Sequence, residues 1–282
     1  MIFWSFSFIW FKMANENLRP VAIIFFRLVF SIALLSSFLV FTKKLVRIRK
    51  KDYKLFFFLA LFQPFFYFLG ESFGLTYVSA TFCSVLISTI PVFAAIAARI
   101  IFKEKLGLLN YSGIFLSFLG VVVFVVNKGT FAYNPQGIAL IFLAVFSAVG
   151  YNLILSKLVN YYNPVYIVNV QNIIGAALFL PLFMTMEVKH LADIDITIKM
   201  LLPVLLLAVF ASSGAFIFFS FSVRHLGILK ANVFTNCVPV FTAIFAFILL
   251  GDKLNVQNLI GMTIVILGLF MSQHKGKSIA LK

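Results

Sequence analysis

Charge is what this 282-residue chain has least of: Asp, Glu, Lys and Arg make up 11% of it, where a soluble globule carries about 25%. Acids are the scarcer sign, 8 against 23 Lys and Arg. A chain with so few charges has no water-facing surface over most of its length, which excludes a soluble globular domain. Only two cysteines occur, Cys83 and Cys237, both inside apolar runs. That excludes a disulfide framework and leaves them as packing residues. The three histidines, His190, His225 and His274, lie near or beyond the ends of apolar runs. They share no depth with a nucleophile or an acid/base pair, so an intramembrane enzyme or a metal centre has no constellation to stand on. A nucleotide loop is lacking too: Gly276-Lys277-Ser278 ends like one, but Met271 stands where its first glycine belongs. No cofactor is called for.

What is present is apolar. Hydrophobic residues reach 63%, Phe alone numbers 38, and mean hydropathy is +1.10. Nearly every apolar run approaches the roughly 20 residues that carry a helix across a bilayer, and none alternates with period two as a membrane β-strand would. Backbone groups in lipid must be satisfied internally, so the expected fold class is an all-α integral membrane protein. The net charge of +15 is concentrated: seven basic residues fall in Lys43 to Lys54, KKLVRIRKKDYK. Between two long apolar runs, such a cluster reads as a topology signal or an anionic-lipid contact, not a nucleic-acid site.

Ten spans are expected: Met1 to Met13, Pro20 to Thr42, Tyr53 to Leu75, Ser79 to Phe102, Leu109 to Val126, Pro135 to Ser156, Pro164 to Met186, Met200 to Val223, Leu229 to Leu250 and Val256 to Ser272. The connection Thr76 to Val78 reads either as a turn or as a kink in one long helix. The first run is short. Thirteen residues reach about 20 Å against a hydrocarbon core of about 30 Å, which predicts a true start further upstream. Placing the N-terminus inside leaves 16 Lys/Arg on the cytoplasmic side and 6 outside, with Arg27 within a span. The bias predicts both termini in the cytoplasm.

The chain also repeats itself. Pro91 to Gly120 (PVFAAIAARIIFKEKLGLLNYSGIFLSFLG) returns 148 residues later as Pro239 to Gly268 (PVFTAIFAFILLGDKLNVQNLIGMTIVILG), with 13 of 30 positions identical and no gap. The shared residues, Pro91/Pro239, Asn110/Asn258, Gly113/Gly261 and Gly120/Gly268 among them, mostly shape backbone, so an architecture recurs rather than a reactive group. The offset contains five spans, an odd number. The halves 1–134 and 135–282 are therefore expected to point opposite ways, as two inverted five-helix repeats with a substrate site between them near the midplane.

Trp4-Ser-Phe-Ser-Phe8 with Lys12 resembles the W-G-x-x-F…K opening of EamA-type proteins of the drug/metabolite transporter superfamily, with Ser5 at the usual glycine. Arg27, seven residues after Pro20, resembles that family's second-helix arginine, and Glu104-Lys105 and Asp252-Lys253 resemble its half-ending signature. The resemblance covers the whole chain. It implies a basket of ten helices and the export or exchange of small organic metabolites such as amino acids by alternating access, with drug or cation efflux and passive conduction as rival readings. An inner (plasma) membrane address follows.

Candidate substrate residues come from polar groups inside apolar runs, each of which must find a partner. Arg27 and Glu71 (in GESFG) lie toward the same end of neighbouring spans. They are read either as a permanent ion pair or as cavity charges meeting an anionic or zwitterionic substrate, with Glu71 a candidate proton acceptor. Asn232, Asn236 and Pro239 are spaced i, i+4, i+7, matched by Ser84, Ser88 and Pro91. Both stripes are read as packing or as lining a path where the prolines Pro91 and Pro239 break the helices and free carbonyls. Gln63, Asn152, Asn169 and Asn172 are further buried amides, and Trp4, Trp10, Tyr67 and Tyr151 are aromatics able to stack on a substrate. The GxxxG of Gly70 and Gly74 suggests either a close contact inside the fold or a homodimer face. His190, Asp193 and Asp195 cluster in an outer loop that reads as solvated, and Asn110-Tyr-Ser112 as a chance sequon.

Overall fold

The computed structural model describes residues 1–102, 107–125, 134–192, 197–252 and 256–272. Glu104, Lys105, Leu106, Lys128, Asp193, Asp195, Lys253, Leu254 and the Gly276 to Ser278 match lie outside them. Every regular element among the described residues is helical. Besides the short Lys50–Asp52 and Val188–Ala192, these are in chain order α1 (Ile2–Asn15), α2 (Pro20–Phe41), and α3, which runs as Tyr53–Ala60, Leu61–Phe66 and Tyr67–Tyr77. Then come α4 (Ala80–Ile87 and Ile90–Phe102), α5 (Leu108–Val125), α6 (Pro135–Leu158) and α7 (Pro164–Met186). The chain continues with α8 (Ile198–Leu206, Leu207–Ala215 and Phe216–Leu226), α9 (Ile228–Val233, Phe234–Cys237 and Val238–Leu250) and α10 (Val256–Ser272). By length and composition five of them, α2, α3, α6, α7 and α8, can cross a membrane; α10 and parts of α4, α5 and α9 are shorter apolar helices.

Local chemistry sets the starts and stops. Asn134 and Asn163 cap α6 and α7 by accepting from backbone N–H groups of the first turn, each followed by a proline whose missing donor costs nothing there. Ser79 caps α4 by accepting from the Phe82 N–H at 3.1 Å, so Thr76 to Val78 is the end of one helix and a turn to the next. Gly251, at φ 69°, closes α9 in the left-handed region that a side chain would resist.

Helices five apart in chain order, α2 with α7 and α5 with α10, pack on each other, and they do so antiparallel. On α2 and α7, Phe25 stacks on Phe183 at 4.2 Å, Ser31 accepts from the Asn172 amide at 2.8 Å, and Ser36 donates to Asn169 at 3.1 Å, one number rising as the other falls. On α5 and α10 the repeated glycines meet crosswise. A Cβ on Gly268 would run into Ser117 and the Gly113 carbonyl, and one on Gly120 into Val265 and the Gly261 carbonyl. Gly70 and Gly74 are spent the same way, against Leu140, Ala144 and Ile141 of α6, so the GxxxG serves a contact within the fold.

Further contacts come in exchanged pairs: α3 with α6 and α8 with α1, α1 with α9 and α6 with α4, α2 with α8 and α7 with α3. Irregularities pair too. The helix α3 is kinked at Gln63, within Leu61–Phe66, and α8 carries a wide π-type stretch at Leu207–Ala215. Helices α4 and α9 leave α winding just ahead of the repeated proline, at Ser88 and Thr89 in α4 and over Phe234–Cys237 in α9. The stripes expected along α4 and α9 are thus cut, and i, i+4, i+7 no longer places their three residues on one helical face.

Candidate functional site

The breaks and wide turns surround a pocket near the middle of the bundle, with about 680 Å³ of empty space counting its open mouth. Helix α1 supplies Trp4, Ser7 and Phe8, α2 supplies Arg27, and α3 supplies Gln63, Tyr67, Phe68 and Glu71. From the second half come Tyr151 and Asn152 of α6, Phe216 and Phe219 of α8, and Asn232, Thr235 and Val238 of α9, with Ile87, Ser88 and Ile90 of α4 completing the wall. Six of the eight substrate residues expected from sequence, Trp4, Arg27, Gln63, Glu71, Asn152 and Asn232, therefore meet in one place.

Arg27 is 2% exposed in an apolar helix, a position that demands compensation. Its Nε donates to the Ser212 hydroxyl at 2.8 Å, and its guanidinium lies 4.1 Å from the centroid of the Phe68 ring. A hydroxyl and a ring face soften the charge without neutralising it. Glu71, 6% exposed, accepts from the Tyr67 hydroxyl at 3.0 Å. The direct Arg27–Glu71 ion pair weighed from sequence is not formed: among the described residues, Arg49–Asp52 is the one pair within 4 Å. Proximity along neighbouring helices brought both groups to one pocket, but Ser212 and Tyr67 are the nearer partners. The pocket thus holds a cation and an acid, each with neutral company.

Other polar groups are also left unspent. The Asn232 side-chain amide nitrogen is buried without a hydrogen-bond partner, and so is the Tyr151 hydroxyl, which sits beside Ser220 and Gln171 but bonds neither in good geometry. Buried polar atoms in that state lose solvation with no return, at a cost of about 1–3 kcal/mol each, unless a ligand or water completes them. Pro91 and Pro239 have no N–H for the carbonyls of Ile87 and Thr235, four residues earlier, and both of those residues line the pocket. Gln63 departs from helical geometry (φ −148°, ψ 117°) just before Pro64, a break within α3 that the sequence reading missed although Pro64 signals it.

The other expected residues lie elsewhere. Asn236 is buried outside the pocket wall. Asn172 spans Ser31 and the Ser212 carbonyl (3.3 Å), bracing the residue that holds Arg27. Asn169 takes the Ser36 hydroxyl. Ser84 and Ser88 donate within their own helix, to Thr81 and Val85 carbonyls at 2.7 Å each, though Ser88 also borders the pocket. Trp10 stacks on Phe6 at 5.2 Å, away from the cavity, whereas Tyr67 and Tyr151 are part of it. Phe68, Phe216 and Phe219 went unnoticed, because in a chain of 38 Phe no single one carries a signal.

A second polar site joins the halves at the end where α2 meets α3. Asp52, in the turn before α3, accepts from Arg49 Nε at 2.6 Å and from the Tyr162 hydroxyl at 2.7 Å, while the Arg49 backbone N–H donates to that same hydroxyl at 3.1 Å. The Arg49 guanidinium lies 4.2 Å from the Tyr161 ring centroid. The Tyr162 and Arg49 donors hold the Asp52 carboxyl below the usual carboxylate range.

Known proteins resemble the chain over nearly its whole length. The family model for EamA-like transporters matches residues 1–126 and again residues 135–273. An uncharacterized transporter of Archaeoglobus fulgidus is 26% identical over 273 residues, covering 97% of this chain and 95% of that one. The uncharacterized transporter YdfC of Bacillus subtilis is 24% identical over 273 residues, covering 96% and 88%. A solved structure, titled only as a crystal structure of a protein, superposes with a TM-score of 0.66 at 14% identity over 96% of each chain, a likeness of fold alone. The chain belongs to the EamA-like transporter family, as a multi-pass membrane protein.

Proposed function

We propose that the chain is a secondary transporter that moves small organic metabolites such as amino acids by alternating access, with the central pocket as its substrate site. Halves 1–134 and 135–282 act as two inverted five-helix repeats, ten spans in all, in the inner (plasma) membrane with both termini cytoplasmic. Support for the inversion comes from the antiparallel α2/α7 and α5/α10 contacts, the paired irregularities and the family model's double match.

The observation that carries the substrate reading is that Arg27 and Glu71 share one pocket without pairing. A permanent ion pair would leave nothing for a ligand. Separated, the guanidinium suits a carboxylate, Glu71 suits an ammonium, and the Asn232 amide adds a donor. The aromatic walls, Trp4, Phe68, Phe216 and Phe219, accept an apolar body. Glu71 and the same rings also suit an organic cation, so drug efflux is the second reading.

The test compares medium and cell extract, by untargeted mass spectrometry, from bacteria expressing wild type or Arg27→Ala at equal membrane levels. A zwitterionic compound enriched outside only with wild type is the expected result. Unchanged metabolite profiles, together with raised tolerance to toxic cations, would replace the metabolite reading by the cation one.

A further inference from the structure

The sequence's densest charge is not used by the pocket. In Lys43–Lys54 seven cations stand with one acid, and the structure consumes that acid: Asp52 is closed between Arg49 and Tyr162. Six cations, Lys43, Lys44, Arg47, Lys50, Lys51 and Lys54, remain exposed and, among the described residues, without an ion pair. Between them Leu45 and Val46 are each 56% exposed, in a stretch with no helix or strand to hide them. Only Ile48 and Asp52 turn inward. Phe41, at the end of α2, is 86% exposed, and Tyr53 and Tyr161 stand open at the same end of the bundle.

This combination fits a membrane surface better than water or a protein partner. Free cations repel one another unless anions lie among them, and exposed Leu and Val in a charged loop gain only where an acyl boundary is within reach. Because α2 and α3 leave the bilayer on either side of it, the loop sits at headgroup depth, flanked by aromatic side chains of the kind that gather there. We infer that the loop Lys43–Lys54 docks on an anionic lipid leaflet, its six free cations on lipid phosphates and Leu45 and Val46 at the acyl boundary. The Arg49–Asp52–Tyr162 cluster holds the loop in place for that contact by pinning its far end to the α6–α7 turn of the other half. The inference does not depend on what the pocket carries.

The test uses the full chain in nanodiscs of phosphatidylcholine, with or without phosphatidylglycerol, reading by native mass spectrometry which lipids stay bound. Wild type is expected to retain phosphatidylglycerol preferentially, and raised salt to weaken that preference. Each cation neutralised is expected to lower it about fivefold at low ionic strength. A variant with all six changed to Gln loses it, while its melting in pure phosphatidylcholine stays at the wild-type value, since Arg49, Asp52 and Tyr162 are untouched. Leu45→Ser with Val46→Ser lowers retention with charge unchanged. Equal phosphatidylglycerol preference in wild type and the six-Gln variant would overturn the inference, and so would full displacement of the lipid by inorganic phosphate at matched ionic strength.

Discussion

At the scale of single residues, the site is arranged around an arginine with a neutral partner. Ser212 offers Arg27 its one side-chain hydrogen bond, so Ser212→Ala is expected to cost about 1.5–3 kcal/mol, the range for a bond to a charged group. Thermal unfolding in lipid measures it, with Ser222→Ala, whose hydroxyl donates to the Phe218 carbonyl of its own helix in an exposed bond, as the near-neutral control. Arg27 and Glu71 do not touch but still attract across the buried pocket, so a double-mutant cycle of Arg27→Ala and Glu71→Gln on stability is expected to show a through-space coupling of about 1 kcal/mol, less than a contact pair would give. Strong rescue of one change by the other would mean a pair formed in another conformation. Sequence made Arg27, Glu71, Gln63, Asn152 and Asn232 legible because a charge or amide in an apolar run needs explaining. It hid Ser212, since a serine can satisfy itself on its own helix, whereas Asn172 finds the neighbouring-helix partners that an amide inside a span requires.

At the scale of elements, contacts depend on surfaces without side chains. Gly268→Ala sets a Cβ against the Ser117 hydroxyl at 2.6 Å and the Gly113 carbonyl at 2.7 Å, and the α5/α10 pair is expected to lose about 1–3 kcal/mol. Yield of folded protein and melting temperature check this. The link between α2–α3 and α6–α7 responds to acid. Its carboxyl is depressed, so its stabilisation is complete above the unfolded value of about 4 and fades as pH falls through the lower folded value. Tyr162→Phe removes the Asp52 donor and is expected to shrink that acid-dependent part of the melting curve, leaving the neutral-pH pocket unaltered. The repeat Pro91/Pro239 told the sequence reader where two helices weaken. It did not tell how each leaves α winding ahead of the proline, by a turn at Ser88 and Thr89 and by a tight 3-10 stretch over Phe234–Cys237, because helical periodicity carries on through such a change as if unbroken.

At the scale of the molecule, the repeated stretch was legible because the same glycines and prolines return at a fixed offset, and the structure places those glycines against each other. The pairing of halves through antiparallel α2/α7 was not, since Ser31, Ser36 and Asn169 carry no mark of what they face. Orientation is open to direct measurement. In a background lacking Cys83 and Cys237, a cysteine at Lys50 is expected to react with an impermeant reagent only after cells are opened, and one at Lys189 in intact cells. The opposite pattern would turn the protein over and place the basic loop on the outer leaflet.

The wide stretch Leu207–Ala215 carries a consequence for how α8 holds its charge. Ser213 reaches back five residues to the Ala208 carbonyl at 2.8 Å, a span that ordinary winding does not offer. Removing one residue from this stretch would let α8 rewind at 3.6 residues per turn and rotate Ser212 by about 100° relative to the segment before it. The arginine of α2 would then be stranded by a slip of one register in a helix it does not belong to.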